Sequence, residues 1–219
     1  MPSVRVCCYI SEMQTQDMTY RERLRADRLW ARREGDMHFD RSSGVFKTLV
    51  RFACKLDQIE VPYALVGGLA LFHHGYERFT TDVDFLVTPE GLAKIHEHLV
   101  GLGYLPGFTG SKNLKDVDTG VKIEFLVTGG YPGDGLPKPV SFPDPAEVSE
   151  VIEGIKIVNL PTLIDLKLAS GTAEWRQKDL VDVQSLIHEL QLPEDFAEKL
   201  NPFVRPFYLE RWRLAQLGN

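Results

Sequence analysis

The chain is poor in the features that would place it in a membrane or outside the cell. None of its apolar runs approaches the roughly 20 residues needed to cross a bilayer. Cysteine is scarce: there are only Cys7, Cys8 and Cys54, the first two adjacent. Three thiols so placed make no disulfide framework. No second Cys/His pair stands at ligand spacing to complete a zinc site with Cys7 and Cys8. The opening "MPSVRVCCYISEM" lacks the order of a signal peptide, a charged segment, then an apolar one, then small residues. The expectation is a cytoplasmic protein without a membrane partner. An excess of positive charge is also missing. The net charge of −6 argues against broad, non-specific binding of nucleic acid.

What is present suits a globular protein: 43% of residues are hydrophobic and 26% charged. At 219 residues the chain can bury a sizeable core in one domain, or in one domain with a small helical annex. Charge is unevenly spread. "RERLRADRLWARR", residues 21–33, sets six arginines against Glu22 and Asp27, and "VRPFYLERWR" mixes Arg205, Arg211 and Arg213 with Phe207, Tyr208 and Trp212. Such segments are either solvated helix faces with local ion pairs or surfaces that hold a polyanion.

Periodicity gives the elements. Residues 1–17 have no clear period, and 19–34 read as a helix ending near Gly35. Val45, Leu49, Phe52 and Leu56 fall at helical spacing within 44–58. "YALVGG" is a short buried strand, "LALFHHG" a helical turn or two, "DVDFLV" a second strand, and 90–102 a helix. "VKIEFLV" and "IKIVNL" are further strands. Between them, residues 129–147 hold five prolines and read as a long ordered loop or a mobile flap. Helices follow at about 161–170 and 178–190, and the chain after Pro193 is helical or irregular. This predicts an α+β fold: a small mixed sheet flanked by helices, with an N-terminal helical arm (1–43), a core (44–160) and a C-terminal helical region (161–219).

Two carboxylates stand inside a strand that otherwise reads as buried. Residues i and i+2 of a strand share a face, so Asp82 and Asp84 project together. They repel unless a cation lies between them. Hard oxygen donors suit Mg²⁺, which shares its remaining shell with phosphates. Glu124, set among Val121, Ile123, Phe125 and Leu126, completes a trio if its strand lies beside 82–87. Such a trio can clamp an in-line phosphoryl displacement through two metal ions. Gly67 and Gly68, between a strand and a helix start, allow close backbone approach to a phosphate.

The glycine pair, the short helix, the D-x-D and the lone strand acid together resemble the nucleotidyltransferase superfamily with the DNA polymerase β-like fold. The "LIDLKLASGTAEWRQKDLVDVQSL" block is similar to the AbiEii-type toxin nucleotidyltransferases. The resemblance spans roughly residues 44–190. It implies metal binding and catalysis by Asp82, Asp84 and Glu124, with Mg²⁺ or Mn²⁺ as cofactor, and triphosphate contact at Gly67, Gly68 and Arg78. It implies that Lys167, Arg176, Lys178 and Asp179 line the nucleotide or acceptor side. Leu69 stands where many members have Ser, and Glu124 where many have Asp. The activity implied is transfer of a nucleoside monophosphate from an NTP to a hydroxyl of a tRNA, a protein or a small molecule such as an aminoglycoside. An antitoxin is the implied partner.

Two further function classes compete. One is a non-catalytic nucleotide- or partner-binding protein on the same fold. The other is a D-x-D glycosyltransferase, which accounts for neither the glycine pair nor Glu124. Lys167, on a helix carrying Leu163, Leu166 and Leu168, is either a snorkelling lysine or a site residue.

Overall fold

The computed structural model describes residues 18–217. The readings of residues 1–17 and of Cys7 and Cys8 therefore lie outside the described residues. Cys54 is a free, exposed thiol.

The arm begins with α1 (Tyr20–Ala26) and α2 (Arg28–Phe39). A single helix over 19–34 was expected. Instead the chain breaks at Asp27, whose carboxylate accepts from the N–H groups of Leu29 and Trp30 and so starts a new helix. Gly35 does not end that helix, which runs on to Phe39. One helical glycine costs only about 1 kcal/mol. Next come α3 (Gly44–Gln58), β1 (Tyr63–Val66), α4 (Gly67–His73), β2 (Asp82–Val87) and α5 (Pro89–Leu99). The chain continues through β3 (Tyr104–Pro106), β4 (Leu114–Asp116), β5 (Lys122–Val127), α6 (Pro145–Val148), β6 (Ser149–Ile152) and β7 (Ile155–Val158). It ends in α7 (Leu160–Gly171), α8 (Gln177–Glu189) and α9 (Arg205–Gln216), with short 3₁₀ turns at Glu174–Arg176 and Glu194–Lys199.

The fold is α+β. Seven strands form one mixed sheet in the order β3-β4-β5-β2-β1-β7-β6. Periodicity predicts four of them. β3, β4 and β6 were missed because three or four residues at a sheet end leave no readable period.

The central strands separate two faces. Phe85 of β2 and Phe125 of β5 meet Phe52 of α3, at ring distances of 5.4 and 5.9 Å. The other face carries Asp82, Asp84 and Glu124; α4 packs against β1 and β2 and in turn touches α7, which packs on α8. One apolar cluster runs through the molecule and takes in Tyr20, Phe52, Phe85, Leu163, Val183 and Tyr208. The proline-rich stretch 129–147 is an ordered loop. Across it Gly129 N–H donates to Phe142 O at 2.9 Å and Phe142 N–H donates to Gly130 O at 2.8 Å, and Lys138 Nζ donates to Pro132 O at 2.8 Å. The C-terminal aromatics face inward. Tyr208 is buried with its hydroxyl on Pro193 O, and Trp212 donates to Leu192 O at 3.0 Å. They are not displayed to a polyanion.

Candidate functional site

β2 and β5 run parallel, with Asp84 aligned to Glu124 and Asp82 to Lys122. Asp82, Asp84 and Glu124 therefore project from one face of adjacent strands. Asp84 also aligns with Val66, the last residue of β1, and the chain turns into α4 directly above it. That turn requires glycine. Gly67 has φ +69°, and a Cβ there would lie 1.9 Å from Asp84 Oδ2. A Cβ on Gly68 would meet Thr80 Oγ1 at 2.8 Å. The pair brings bare backbone against the carboxylates and Thr80.

Every residue expected to bind metal or nucleotide lines a single cleft of about 740 Å³: Gly67, Gly68, Arg78, Asp82, Asp84, Glu124, Lys167, Arg176, Lys178 and Asp179. The cations Lys167, Arg176 and Lys178 thus line the same cleft as the glycines. The sequence did not single out Thr80, Thr81 and Trp175 as lining residues, nor Leu24 and Arg25 of the arm. The arginine run at 21–33 was the available signal for Arg21 and Arg25.

The acids are held by different partners. Thr80 Oγ1 donates to Asp82 Oδ1 at 2.9 Å. Arg21 Nη2 donates to Asp82 Oδ2 at 3.1 Å and to Thr81 Oγ1 at 2.9 Å. Lys122 pairs with Glu124. Asp84 lies deepest. Burial, then the charges of Asp82 and Glu124, push its carboxyl up to about 8, while Lys167 and Arg78 pull the other way. Asp84 therefore resists ionising beside the other two acids, and a cation among them removes that conflict. Their hard oxygens fit magnesium or manganese. Among the described residues, no three His, Cys, Asp or Glu side chains form a metal-holding group on their own. In sites that handle phosphates, magnesium commonly takes the rest of its ligands from the substrate.

The facing wall is a buried ionic network. Lys167 Nζ donates to Asp179 Oδ1 at 2.9 Å and to Asp182 Oδ2 at 2.7 Å. Asp182 also takes Arg78, whose Nη2 donates at 3.2 Å. Arg78 Nε lies 3.1 Å from the other Asp182 oxygen but its N–H is not aimed at it. Arg176 Nε and Ser170 Oγ both donate to Asp179 Oδ2, at 2.9 and 2.7 Å. Burial works against the charge on Asp179, yet Lys167, Ser170 and Arg176 hold its carboxyl below the ordinary range. Lys167 therefore does not snorkel; its ammonium is buried and anchored. Asp179 and Asp182, three apart on α8, aim Lys167, Arg78 and Arg176 at the cleft. Six cations line the cleft (Arg21, Arg25, Arg78, Lys167, Arg176, Lys178) against four acids (Asp82, Asp84, Glu124, Asp179).

No protein-family model and no curated protein matches the sequence. Comparison of structures finds resemblances at low identity. ANT(2")-Ia in complex with adenylyl-2"-tobramycin is 14% identical, with a TM-score of 0.49 over 75% of this chain and 97% of that one. JHP933 from Helicobacter pylori is 19% identical, with a TM-score of 0.42 over 78% and 89%. An antigenic nucleotidyltransferase-like protein from Paracoccidioides brasiliensis is 18% identical, with a TM-score of 0.41 over 64% and 74%.

Proposed function

We propose that this chain is a metal-dependent nucleotidyltransferase, moving a nucleoside monophosphate from an NTP to a hydroxyl and releasing pyrophosphate. The observation that carries the reading is the cleft itself. Three carboxylates on neighbouring strands face anchored cations across a gap floored by a glycine turn. That arrangement suits a triphosphate, with the cations and the open backbone of Gly67 and Gly68 on the β- and γ-phosphates and the carboxylates at the α-phosphorus. Trp175, 73% exposed in the cleft wall, offers a flat face to the base. A divalent cation, when bound, supplies the positive charge that lets phosphates and carboxylates share this space. The chain itself contributes positioning and charge, which is most of what phosphoryl transfer needs. The acceptor oxygen attacks the α-phosphorus, the bond to the bridging oxygen breaks, and its electrons leave with pyrophosphate. The hydroxyl proton passes to a carboxylate of the trio.

The second reading, a non-catalytic nucleotide binder, draws on one observation: Arg21 and Lys122 already engage Asp82 and Glu124. Pyrophosphate release from the four NTPs, with and without Mg²⁺, separates the two. Asp84→Asn is expected to slow release by at least about 100-fold, the scale of losing one preorganised charge contact. Steady NTP binding with no release at any Mg²⁺ concentration would favour the binder. The resemblance to AbiEii-type toxins adds a cytoplasmic role as a toxin restrained by an antitoxin. Growth arrest on expression of the wild type, absent for Asp84→Asn, tests it.

A further inference from the structure

Beside the cleft lies a second cavity of about 700 Å³, walled by α1 and by the loop 107–113 that joins β3 to β4. The two share Arg21 and Asp82, so the Asp82 carboxylate stands on the boundary between them. Four cations line the second cavity (Arg21, Lys112, Lys115, Lys122) against Asp82 alone. Arg21 is engaged by Asp82 and Lys122 by Glu124; among the described residues Lys112 and Lys115 make no salt bridge, and Lys115 acts on Glu22 of α1 only through its charge, beyond contact. Phe108, 73% exposed, stands in the same loop. The loop is tied to the catalytic strand: Asn113 Oδ1 accepts from the N–H of Phe125, next to Glu124, at 3.0 Å.

In an in-line displacement the attacking and leaving oxygens lie on opposite sides of the phosphorus. With the triphosphate tail against the glycines and the α8 cations, the attacking hydroxyl comes from across Asp82. That is the side of the second cavity.

We propose that this cavity is the acceptor subsite and that it takes a nucleotide unit: a hydroxyl compound bearing a phosphate and a flat ring. The proposal rests on the transferase reading. Lys112 and Lys115 meet the phosphate and Phe108 stacks the ring, the combination by which proteins hold unpaired nucleotides. The same lysines repel a polycationic amino sugar. The hydroxyl oxygen forms the new bond to the α-phosphorus, pyrophosphate leaves into the first cleft, and the proton passes to a carboxylate on the boundary. A free nucleotide and the end of a single strand share this chemistry.

The test saturates the first cleft with non-hydrolysable analogues of the four NTPs. Fluorescent adenosine 5′-monophosphate and a 5′-phosphorylated tetraribonucleotide, both with free 3′ hydroxyls, are then titrated against the full chain. At least one probe is expected to bind alongside the analogues. Binding is expected to weaken roughly tenfold in Phe108→Ala. In Lys112→Ala/Lys115→Ala the salt slope for the tetranucleotide is expected to fall by about 0.7 per lost phosphate contact. Analogue binding, followed by Trp175 fluorescence, stays unchanged in both variants. Preference for the mononucleotide assigns a free nucleotide, and preference for the tetranucleotide assigns a strand end. Displacement of both probes by the analogues, equal affinity in wild type and variants, or binding of a polycationic amino sugar in their place overturns the proposal. Probe capture by a chain that binds no NTP removes the acceptor role and, separately, the transferase reading.

Discussion

At the residue scale, the position with least freedom is Gly67. Its φ of +69° is strained for any other residue, and its missing side chain is the space that Asp84 Oδ2 occupies. Gly67→Ala is expected to cost about 1–3 kcal/mol in urea unfolding, the range for a non-glycine residue held in a disfavoured conformation. It also displaces Asp84, so pyrophosphate release is expected to fall further than stability does. Unchanged release in a folded Gly67→Ala protein would remove Asp84 from the chemistry. Asp165, away from the cleft, gives a pH signature. Its carboxylate accepts from Asn201 N–H at 3.0 and 3.2 Å, but burial pushes its pKa up to about 6. The folded state then holds this proton more tightly than the unfolded chain, whose carboxyl titrates near 3.8. Its effect on stability is therefore a loss as pH rises from about 4 to about 6. Asp165→Asn keeps an acceptor for Asn201 and is expected to flatten that part of the curve. Thermal melts of both proteins from pH 4 to 7 check it, and parallel curves would refute it.

At the element scale, the sequence reveals what a period or a motif can carry. The helix at 44–58 and the strands holding Asp82, Asp84 and Glu124 follow from spacing alone. The strands at 104–106, 114–116 and 149–152 do not, because pairing at the sheet ends and not local pattern makes them strands. The α1–α2 break depended on Asp27 acting as a cap, which a charged run conceals. The acids and glycines of the site were legible because their chemistry conflicts with a buried strand. The spacing of Asp179 and Asp182 already placed both on one helix face, able to orient Lys167 or Arg176; Trp175 was not legible, since packing alone brings it to the cleft. Lys167 and Lys178 show the difference in energy between a buried and an exposed cation. Lys167→Ala leaves Asp179 with Arg176 and Ser170 and Asp182 with Arg78, but removes the buried cation between the two acids, and is expected to cost up to about 3–5 kcal/mol. Lys178→Ala, at an exposed position, is expected to stay within about 0.5 kcal/mol in stability and to weaken NTP binding. Denaturant melts read with NTP titrations separate them. Equal destabilisation by the two would mean that the α7–α8 network carries no structural load.

At the scale of the whole molecule, the arm completes the cleft. Tyr20 fixes α1 to the core: its side chain is buried, its N–H donates to Gly120 O at 2.8 Å, and its hydroxyl donates to Glu34 Oε2 at 2.8 Å. One residue on, Arg21 reaches across to Asp82. Whether this contact blocks a metal or merely waits for one turns on its strength. The Arg21 side chain is 59% exposed and that of Asp82 23%. Pairs open to water in this way contribute about 0–1 kcal/mol. On the transferase reading, a divalent cation with a triphosphate has more than that to offer Asp82, and the pair would yield to it, leaving Arg21 between the two cavities beside the reacting phosphate. Arg21→Ala is therefore expected to tighten Mg²⁺ binding to the empty protein by less than about fivefold, the most that a pair of this strength can withhold. The same variant is expected to slow pyrophosphate release, because a cation beside the reacting phosphate is lost. Mg²⁺ titration by calorimetry and single-turnover release measure the two effects separately. Tighter Mg²⁺ binding together with faster release would make the arm an inhibitor of the site, and would overturn its role here as a part of the substrate cleft.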